Sequence, residues 1–322
     1  MHDLISYIEA EQPKINDFLF REAKKLHPLV QPAVLHVLKG GGKRLRPLLA
    51  LLTARGLGRS LPDIYPMACA LEFLHSATLL HDDILDGAEL RRGMKAAHLV
   101  FGRSWTILAG DALLALGNRL MASYGLPKLI DSISEAIMRT ATGEIAEIAH
   151  IRNPELNQEQ YLEIITGKTA YLIQSACACG AILAKETDEI VKAAADFGLN
   201  LGIAFQLVDD ALDYSSSAET AGKPVGADLD EGKLTLPMLL FLKTMNQEEQ
   251  SDFARRFREN DFSSGYLAGL IARVRSSGQD LKTREMAETY LNKAGRALAL
   301  FPDSPEKDLL GQALDYVLTR QS

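Results

Sequence analysis

The segment Leu80–Asp86, which reads Leu-His-Asp-Asp-Ile-Leu-Asp, recurs at Leu207–Asp213 as Leu-Val-Asp-Asp-Ala-Leu-Asp, and each copy ends a long apolar segment of helical periodicity. Side chains four residues apart share one face of a helix, so the first and last aspartates of each copy stack one turn apart. Carboxylates at this spacing repel each other unless a cation lies between them, and Mg²⁺ is usually held by one or two carboxylates together with substrate phosphates. We therefore expect two acidic sites that face each other across a pocket for a polyanion accompanied by metal ions.

Helical periodicity extends through nearly all of the chain, and almost no segment alternates as a strand does. Glycine and proline interrupt this pattern at intervals typical of helix lengths. No linker is long enough to divide the 322 residues, so we expect one all-α domain over residues 1–322. The predicted helices lie near residues 3–25, 44–57, 63–87, 104–123, 127–150, 158–184, 187–214, 233–245, 247–258, 264–276, 282–299 and 304–320.

The composition is that of a globular protein, with 47% hydrophobic and 24% charged residues. The net charge of −7 argues against a general nucleic-acid-binding protein. Cys69, Cys177 and Cys179 have no disulfide-framework spacing, which indicates a reducing compartment and favours buried structural roles over a zinc site. The sequence shows neither a signal-peptide pattern nor a run of roughly 18 apolar residues, so we expect a soluble cytoplasmic protein.

Basic residues accompany the acidic segments. Gly40–Pro47 reads Gly-Gly-Gly-Lys-Arg-Leu-Arg-Pro, and glycines just before a helix let backbone N–H groups approach an anion. Lys43 and Arg46 share a face if this turn is helical; solvated basic turns have a similar composition, and the spacing of a P-loop is absent. Arg91 and Arg92 follow the first acidic segment and, being adjacent, can reach two different anions, for which guanidinium groups offer paired donors.

Two further side chains align with the acidic segments. His75 lies two helical turns before Asp82 on the same face, where a contact to a substrate competes with an ordinary core position. Gln206 lies three residues before Asp209, where its amide could orient a phosphate, stabilise a cation or hold two helices together. The polar loop over residues 215–232 follows the second acidic segment directly, and we expect a lid there rather than a simple connector.

In their order and spacing these motifs resemble the trans-isoprenyl diphosphate synthases, also called polyprenyl synthetases, and among them the long-chain, octaprenyl-type enzymes. The family pattern has Gly-Gly-Lys-Arg-x-Arg-Pro, Asp-Asp-x-x-Asp followed by Arg-Arg-Gly, Lys-Thr, Phe-Gln-x-x-Asp-Asp-x-x-Asp, and then Gly-Lys and a second lysine. The resemblance covers residues 40–240 through Gly41–Pro47, Asp82–Asp86, Arg91–Gly93, Lys168–Thr169, Phe205–Asp213, Gly222–Lys223 and Lys233.

The resemblance implies an all-α isoprenoid-synthase fold, a helical bundle around a deep central cavity, and a homodimer. It implies a Mg²⁺-dependent, head-to-tail condensation of isopentenyl diphosphate onto an allylic diphosphate such as farnesyl diphosphate, with up to three Mg²⁺ ions bound together with the diphosphate. The polyprenyl product would partition into a membrane while the protein stays soluble. The implied catalytic residues are Asp82, Asp83, Asp86, Lys168, Thr169, Gln206 and Asp209.

The resemblance also assigns residues to the metal and to each substrate. The implied metal ligands are Asp82, Asp86, Asp209, Asp210 and Asp213. The residues implied for isopentenyl diphosphate are Lys43, Arg46, His75 and Arg92. Those implied for the allylic diphosphate are Arg91, Lys168, Thr169, Gln206, Lys223 and Lys233. The allylic cation would be stabilised by the carbonyl of Lys168, the Thr169 hydroxyl and Gln206.

Product length should be set by the helix that precedes Asp82. Leu71, Leu74 and Thr78 lie on the face that leads away from the metal, with Ala77 beside them. In short-chain relatives, bulky aromatic residues four or five positions before the first aspartate block the tunnel, whereas this chain has Thr78 and Ala77 there. Because the helix from Leu71 to Asp82 spans about 16 Å, we expect a medium or long product of about thirty to forty carbons.

Four other interpretations compete with this one. A geranylgeranyl or farnesyl diphosphate synthase would carry the same motifs and make a shorter product. A silent regulatory subunit of a heteromeric synthase would be expected to lose one acidic motif, and a cyclase or head-to-head synthase would lack the Gly-Gly-Lys-Arg-x-Arg-Pro segment. A purely structural bundle would leave six aspartates without compensating charge. We therefore favour a prenyl-elongating transferase.

Overall fold

The computed structural model describes residues 2–59, 63–215 and 225–320. Within these ranges the secondary structure consists of helices and one short hairpin, which confirms the predicted all-α class. The helices are α1 (His2–Ala23), α2 (Gln31–Lys39), α3 (Leu45–Gly56), α4 (Ile64–Leu85), α5 (Ala97–Phe101), α6 (Arg103–Ala122), α7 (Pro127–Ala149), α8 (Gln158–Ile165), α9 (Tyr171–Leu183), α10 (Asp188–Ser215), α11 (Ala227–Asp230), α12 (Leu236–Leu242), α13 (Gln247–Glu259), α14 (Ser264–Ser276), α15 (Gln279–Leu298) and α16 (Pro305–Thr319). The strands are β1 (Leu90–Arg91) and β2 (Met94–Lys95).

Each of the twelve predicted helices has a counterpart, one of them divided in two, and the described part of the chain adds three short helices, α2, α5 and α11. These have nine, five and four residues, too few for helical periodicity to stand out. Helix α2 nevertheless carries start and stop signals, with Pro32 in its first turn and Gly40 at its C-cap.

The hairpin that follows the first acidic segment explains the Arg-Arg-Gly motif structurally. Leu90 pairs with Lys95, and Arg91 pairs with Met94. The two turn residues between the strands, Arg92 and Gly93, have φ of 52° and 76°, and such two-residue turns need positive φ at both positions. Glycine adopts this conformation without a steric penalty. The motif is therefore a tight turn as well as a pair of charges.

The predicted helix over residues 158–184 is divided by a π turn at Thr166–Ala170, which joins α8 to α9. Gly143 of α7 lies against this turn, since a Cβ atom added to it would lie 2.5 Å from the Lys168 backbone nitrogen and 2.9 Å from the Gly167 Cα. The two backbones reach this separation because neither glycine carries a side chain. Such π turns occur preferentially at functional sites.

Contacts between Cα atoms divide the chain into two compact units, each built from several chain segments. The first comprises Met1–Ile137, Leu172–Ala195 and Leu298–Gln312. The second comprises Met138–Tyr171, Asp196–Ala297 and Ala313–Ser322. The predicted single domain over residues 1–322 stays a prediction.

In the first unit α4 packs along α6 and also contacts α1 and α3. The approach to α6 is close at Gly117, where an added Cβ atom would lie 3.1 Å from the Leu74 Cγ. The three cysteines are free thiols buried in this unit, and burial raises the pKa of Cys177 to about 12. Large, fully buried side chains of this core include Ile15, Leu19, Leu51 and Phe73.

In the second unit an aromatic cluster joins α13 to α14. The Phe253 and Phe257 rings stack with centroids 5.3 Å apart, and Phe262 lies 5.9 Å from Phe253 and 5.4 Å from Tyr266. Contacts of this kind add to the free energy gained from burying the rings. Phe197 and Tyr214 of α10 are also fully buried.

Helix α10 contains a window whose length and apolar composition would suffice to cross a membrane. Half of that window is buried inside the protein, and core helices of globular proteins meet the same criterion. The mean hydropathy of this window meets the criterion for a membrane-spanning helix, although the sequence contains no uninterrupted apolar run of that length.

Candidate active site

The first acidic segment lies at the end of α4, and its three aspartates differ in their exposure to solvent. Asp82 is half-buried and Asp86, at the C-cap, is exposed. Asp83 is instead buried, and its Oδ1 accepts a hydrogen bond from Arg91 Nε at 2.7 Å and lies 2.5 Å from Arg91 Nη2. Asp83 therefore ties the end of α4 to the hairpin, whereas Asp82 and Asp86 remain accessible. The predicted catalytic role of Asp83 and the predicted binding of the allylic diphosphate by Arg91 stay predictions.

A cluster of basic groups in the first unit brings together three of the residues predicted for isopentenyl diphosphate. Burial lowers the pKa of His75 well below its ordinary value, and the positive charges of Arg46 and Arg92 lower it further. Burial also lowers the pKa of Arg46 to about 10, an effect that Glu72 opposes and Arg92 reinforces. The Nε of Arg46 is buried and has no hydrogen-bond partner. Like charges gathered in a half-buried place are stabilised by an anion.

The glycine-rich segment contributes the remaining parts of this cluster. A Cβ atom at Gly42 would lie 2.4 Å from Arg92 Nη1, so the guanidinium of Arg92 lies directly over the glycine. Lys43, the fourth predicted residue, is exposed. Arg44, which the sequence does not single out, is buried with φ of 49° and donates to Glu72 at 2.8 Å and to the carbonyl of Leu38 at 2.7 Å. Arg44 thus fixes the segment that presents its neighbours.

The residues predicted to control product length divide into two classes. Leu71, Leu74 and Ala77 are at most 1% exposed in the core of the first unit. Thr78 is half-buried, and its hydroxyl donates to the carbonyl of His75 at 2.9 Å. Of the two positions predicted to be left open by small residues, Thr78 therefore has more room for a larger side chain.

In the second unit, both predicted lysines that the structure describes are held by carboxylates of α7. Lys168 Nζ lies 2.9 Å from Glu144 and also bonds Glu147, and Lys233 Nζ lies 3.5 Å from Glu147 and 3.0 Å from Glu231. Burial lowers the pKa of Lys168, but Glu147 and Glu144 outweigh it, so the pKa is raised. Sequence reasoning missed both glutamates, although their spacing of three places them on one helix face. Lys223 lies outside the described residues, as does half of the predicted lid, residues 216–224.

A hydrogen-bonded chain joins the π turn to the second acidic segment. Thr169 Oγ1 donates to Gln206 Oε1 at 2.9 Å, and Gln206 Nε2 donates to Asp210 Oδ1 at 2.8 Å. The Tyr161 hydroxyl donates to the other oxygen of Asp210. Burial, together with the charge of Asp228, raises the pKa of Asp210 to about 8. Thr169 and Gln206 are thus in direct contact, and both oxygens of Asp210 accept bonds from protein donors; the predicted roles of Thr169 and Gln206 stay predictions.

The other two aspartates of the second segment differ from Asp210. The Asp209 side chain is 40% exposed and forms an ion pair with Arg320, a residue that the sequence does not single out. Asp213 is buried, and its Oδ2 lies 3.4 Å from the backbone N–H of Asp228. Their predicted roles as metal ligands stay predictions.

The chain is similar in sequence and fold to known proteins. The chain matches the family model described as polyprenyl synthetase over residues 27–270. It is 38% identical over 282 residues to the octaprenyl diphosphate synthase of Escherichia coli (strain K12), covering 88% of this chain and 87% of the relative. It is 35% identical over 301 residues to the geranylfarnesyl diphosphate synthase of Aeropyrum pernix, covering 89% and 93%.

A solved structure has the same fold. It is a polyprenyl synthase from Caulobacter crescentus CB15 complexed with calcium and isoprenyl diphosphate, which superposes with a TM-score of 0.92 at 36% identity and covers 99% of this chain and 97% of its own. The family match, the relatives and the shared fold agree on one activity, the elongation of prenyl diphosphates. The chain therefore belongs to the polyprenyl synthetase family and is a transferase with the all-helical isoprenoid-synthase fold.

Proposed function

We propose that this protein condenses isopentenyl diphosphate head to tail onto an allylic diphosphate, such as farnesyl diphosphate, and releases an all-trans polyprenyl diphosphate of medium to long chain. The observation that carries this proposal is the basic cluster of Arg46, His75 and Arg92, in which the half-buried Arg46 and the exposed Arg92 place positive charge beside a neutral imidazole. This arrangement favours a ligand with a high negative charge, and diphosphate provides it.

Arg46 and Arg92 would bind isopentenyl diphosphate. Their guanidinium groups offer paired N–H donors to phosphate oxygens. The buried Nε of Arg46 lacks a protein partner, so a bound phosphate would satisfy it. His75 is neutral near pH 7, because its pKa is depressed, and so can donate one hydrogen bond without adding charge. Lys43 adds an exposed ammonium at the same segment.

The carboxylates of Asp82 and Asp86 in the first unit, and that of Asp209 in the second, each suit a hard divalent cation. Each is half-buried or exposed, and oxygen donors of this type are the ligands that Mg²⁺ takes together with a substrate phosphate. Bound Mg²⁺ would neutralise the charge that develops on the diphosphate leaving group. The calcium and isoprenyl diphosphate named for the Caulobacter enzyme support this combination of ligands. Asp210 and Asp213 are buried. We infer that Asp210 holds the side chain of Gln206 in place.

The second unit supplies the groups for the allylic substrate. Lys168 and Lys233 would bind its diphosphate, and loss of diphosphate would leave an allylic cation. The Thr169 hydroxyl gives its hydrogen to Gln206, so its oxygen lone pairs are free to face that cation. The isopentenyl double bond then attacks the cation, a carbon–carbon bond forms, and a proton passes to the released diphosphate.

We also propose that the protein is a cytoplasmic homodimer whose product enters a membrane. In the second unit, one stretch of α7 leaves three large apolar side chains substantially exposed, namely Met138, Ile145 and Ile148 at 59%, 67% and 46%. Apolar side chains grouped in this way favour contact with another surface. Light scattering coupled to size exclusion measures the mass, and a mass near 70 kDa, about twice the 35.3 kDa of the chain, supports a dimer.

The decisive experiment is incubation with labelled isopentenyl diphosphate, farnesyl diphosphate and Mg²⁺, followed by sizing of the dephosphorylated products. A product of about thirty to forty carbons, several five-carbon additions beyond the primer, supports the proposal. A product that stops at fifteen to twenty carbons with shorter primers would identify the shorter-chain alternative. No elongation with any allylic primer would refute autonomous synthase activity and favour the regulatory-subunit alternative.

A further inference from the structure

Arg320, which follows α16, covers the part of α10 that carries the second acidic segment. Its side chain is only 5% exposed although it carries a full charge. The guanidinium carbon lies 3.9 Å from the centroid of the Phe205 ring, and Nη2 donates to the Phe205 carbonyl at 2.7 Å. The same Nη2 lies 2.5 Å from Asp209 Oδ1. One side chain therefore contacts the ring and the carbonyl of one residue and the carboxylate one helical turn later.

These contacts form a specific binding place for the guanidinium group of Arg320. A buried guanidinium is costly unless it is paired, and stacking on an aromatic face gives it a second source of stabilisation. Burial lowers the pKa of Arg320, and the charge of Asp209 opposes that effect. The carboxylate paired with the buried Arg320 is thus that of Asp209, the aspartate proposed to hold a metal ion.

The geometry points to a positioning role: we propose that Arg320 takes the place of the metal at Asp209 while no substrate is bound, so that a divalent cation binds there only together with diphosphate. This inference rests on the proposed function. A guanidinium 2.5 Å from Oδ1 both occupies a coordinating oxygen and repels a second cation. Diphosphate brings negative charge that offsets this repulsion. When diphosphate binds, the Asp209 carboxylate therefore exchanges its arginine partner for the metal ion.

The test is direct binding of Mn²⁺, followed by electron paramagnetic resonance, to the substrate-free full chain. Arg320→Met keeps an apolar stem against Phe205 and removes the charge, and Arg320→Lys keeps the charge. We expect Arg320→Met to bind Mn²⁺ roughly tenfold more tightly than the wild type, and Arg320→Lys to resemble the wild type. Inorganic diphosphate should bring the affinities of all three close together. Combining Arg320→Met with Asp209→Asn should abolish the gain.

Equal or weaker Mn²⁺ binding by substrate-free Arg320→Met would overturn the proposal, because an arginine that merely orients Asp209 cannot weaken metal binding. Thermal unfolding checks that each variant is folded, and Arg320→Gln serves if the methionine variant is not. The measurement needs no prenyl transfer, so it is independent of the elongation assay. A wild type that elongates, combined with unchanged Mn²⁺ binding, would reject this inference alone. A wild type that fails to elongate would reject the proposed function whatever the Mn²⁺ result.

Discussion

The hydroxyl of Thr169 donates to the side-chain oxygen of Gln206 at 2.9 Å, and this contact joins the π turn to the helix that carries the second acidic segment. Gln206 cannot rotate without losing its bond to Asp210, which Tyr161 holds from the other side. The oxygen of Thr169 is therefore fixed in direction by three residues behind it. Oxygen dipoles of fixed direction stabilise developing positive charge more effectively than mobile ones.

We predict that Thr169→Val lowers kcat by about ten- to a hundredfold while the KM for the allylic substrate changes little, because the hydroxyl acts on the cation rather than on the bound diphosphate. Thr169→Ser keeps the hydroxyl and should retain most of the activity. Steady-state kinetics with farnesyl diphosphate measure both constants. A valine variant that changes only KM would contradict the assignment.

Replacing Gly143 by alanine should disturb the π turn. The new Cβ atom would lie 2.5 Å from the Lys168 nitrogen, so the two backbones must separate. We expect a loss of about 1–3 kcal/mol in the free energy of unfolding and a clear fall in kcat. The matched control is Gly269→Ala in α14, where an added Cβ atom meets nothing within 4 Å. That variant should be as stable as the wild type or up to about 1 kcal/mol more stable. Equal behaviour of the two variants in chemical denaturation would contradict the prediction.

Thr78→Phe should shorten the product, because the side chain at this half-buried position enlarges toward the predicted tunnel. Ala77→Phe should do the same, but Ala77 is fully buried, and overpacking there should also cost about 1–3 kcal/mol of stability. Thr78→Val keeps the volume and should leave product length unchanged. Chromatographic sizing of the dephosphorylated products provides the measurement. Product lengths that both phenylalanine variants leave unchanged would eliminate the tunnel model.

His75 should make stability depend on pH. Because its pKa is depressed in the folded state, the unfolded chain binds a proton below pH 6.5 that the folded protein does not take up. Its contribution is therefore present above this pH and is lost, at up to about 1.4 kcal/mol per pH unit, as the pH falls.

His75→Gln should remove this loss. When the pH is lowered from 7.5 to 5.5, the variant should therefore lose less unfolding free energy than the wild type. The exposed His27 provides a control, and His27→Gln should follow the wild type. Denaturant titrations at the two pH values measure the gap. Parallel pH dependences for His75→Gln and the wild type would show that the histidine is protonated normally.

Arg91→Gln should destabilise the protein by about 1–3 kcal/mol, because it leaves the buried carboxylate of Asp83 without its charged partner. Adding Asp83→Asn should recover part of this loss, since the amide carries no charge. The exposed Arg255 of α13 pairs with Asp252 and Glu259, and Arg255→Gln should leave the free energy of unfolding nearly unchanged. A double-mutant cycle measures the coupling, and additive effects at residues 83 and 91 would contradict the pairing.

Local sequence patterns predict this fold well because its helices are long and periodic. The acidic segments, the glycine-rich segment and the Lys168–Thr169 pair are all motifs of short span, so a reader of the sequence finds them. The sequence does not reveal that Asp83 pairs with Arg91, because their spacing alone does not bring the two side chains together. The hairpin turn at Arg92 and Gly93 does so.

The residues that sequence reasoning missed share one property: each acts through a partner distant in the chain. Glu144 and Glu147 meet Lys168 and Lys233, and Arg320 meets Asp209. Periodicity assigns a face to a residue but does not assign a partner to it. The π turn was missed for a related reason, since it depends on the packing of Gly143 against another helix.

Glu147 contacts both Lys168 and Lys233, and Glu144 and Glu231 add a second carboxylate to each lysine, so protein carboxylates fully balance the two positive charges. The counter-charges of these lysines are therefore built into the protein and are not mobile ions from solution. Dissolved salt screens exposed charges over about 10 Å at 0.1 M but affects partly buried pairs much less. Capture of the allylic diphosphate through these two lysines should consequently depend only weakly on ionic strength, and the enzyme would keep its affinity for that substrate across salt concentrations that weaken ordinary surface anion sites.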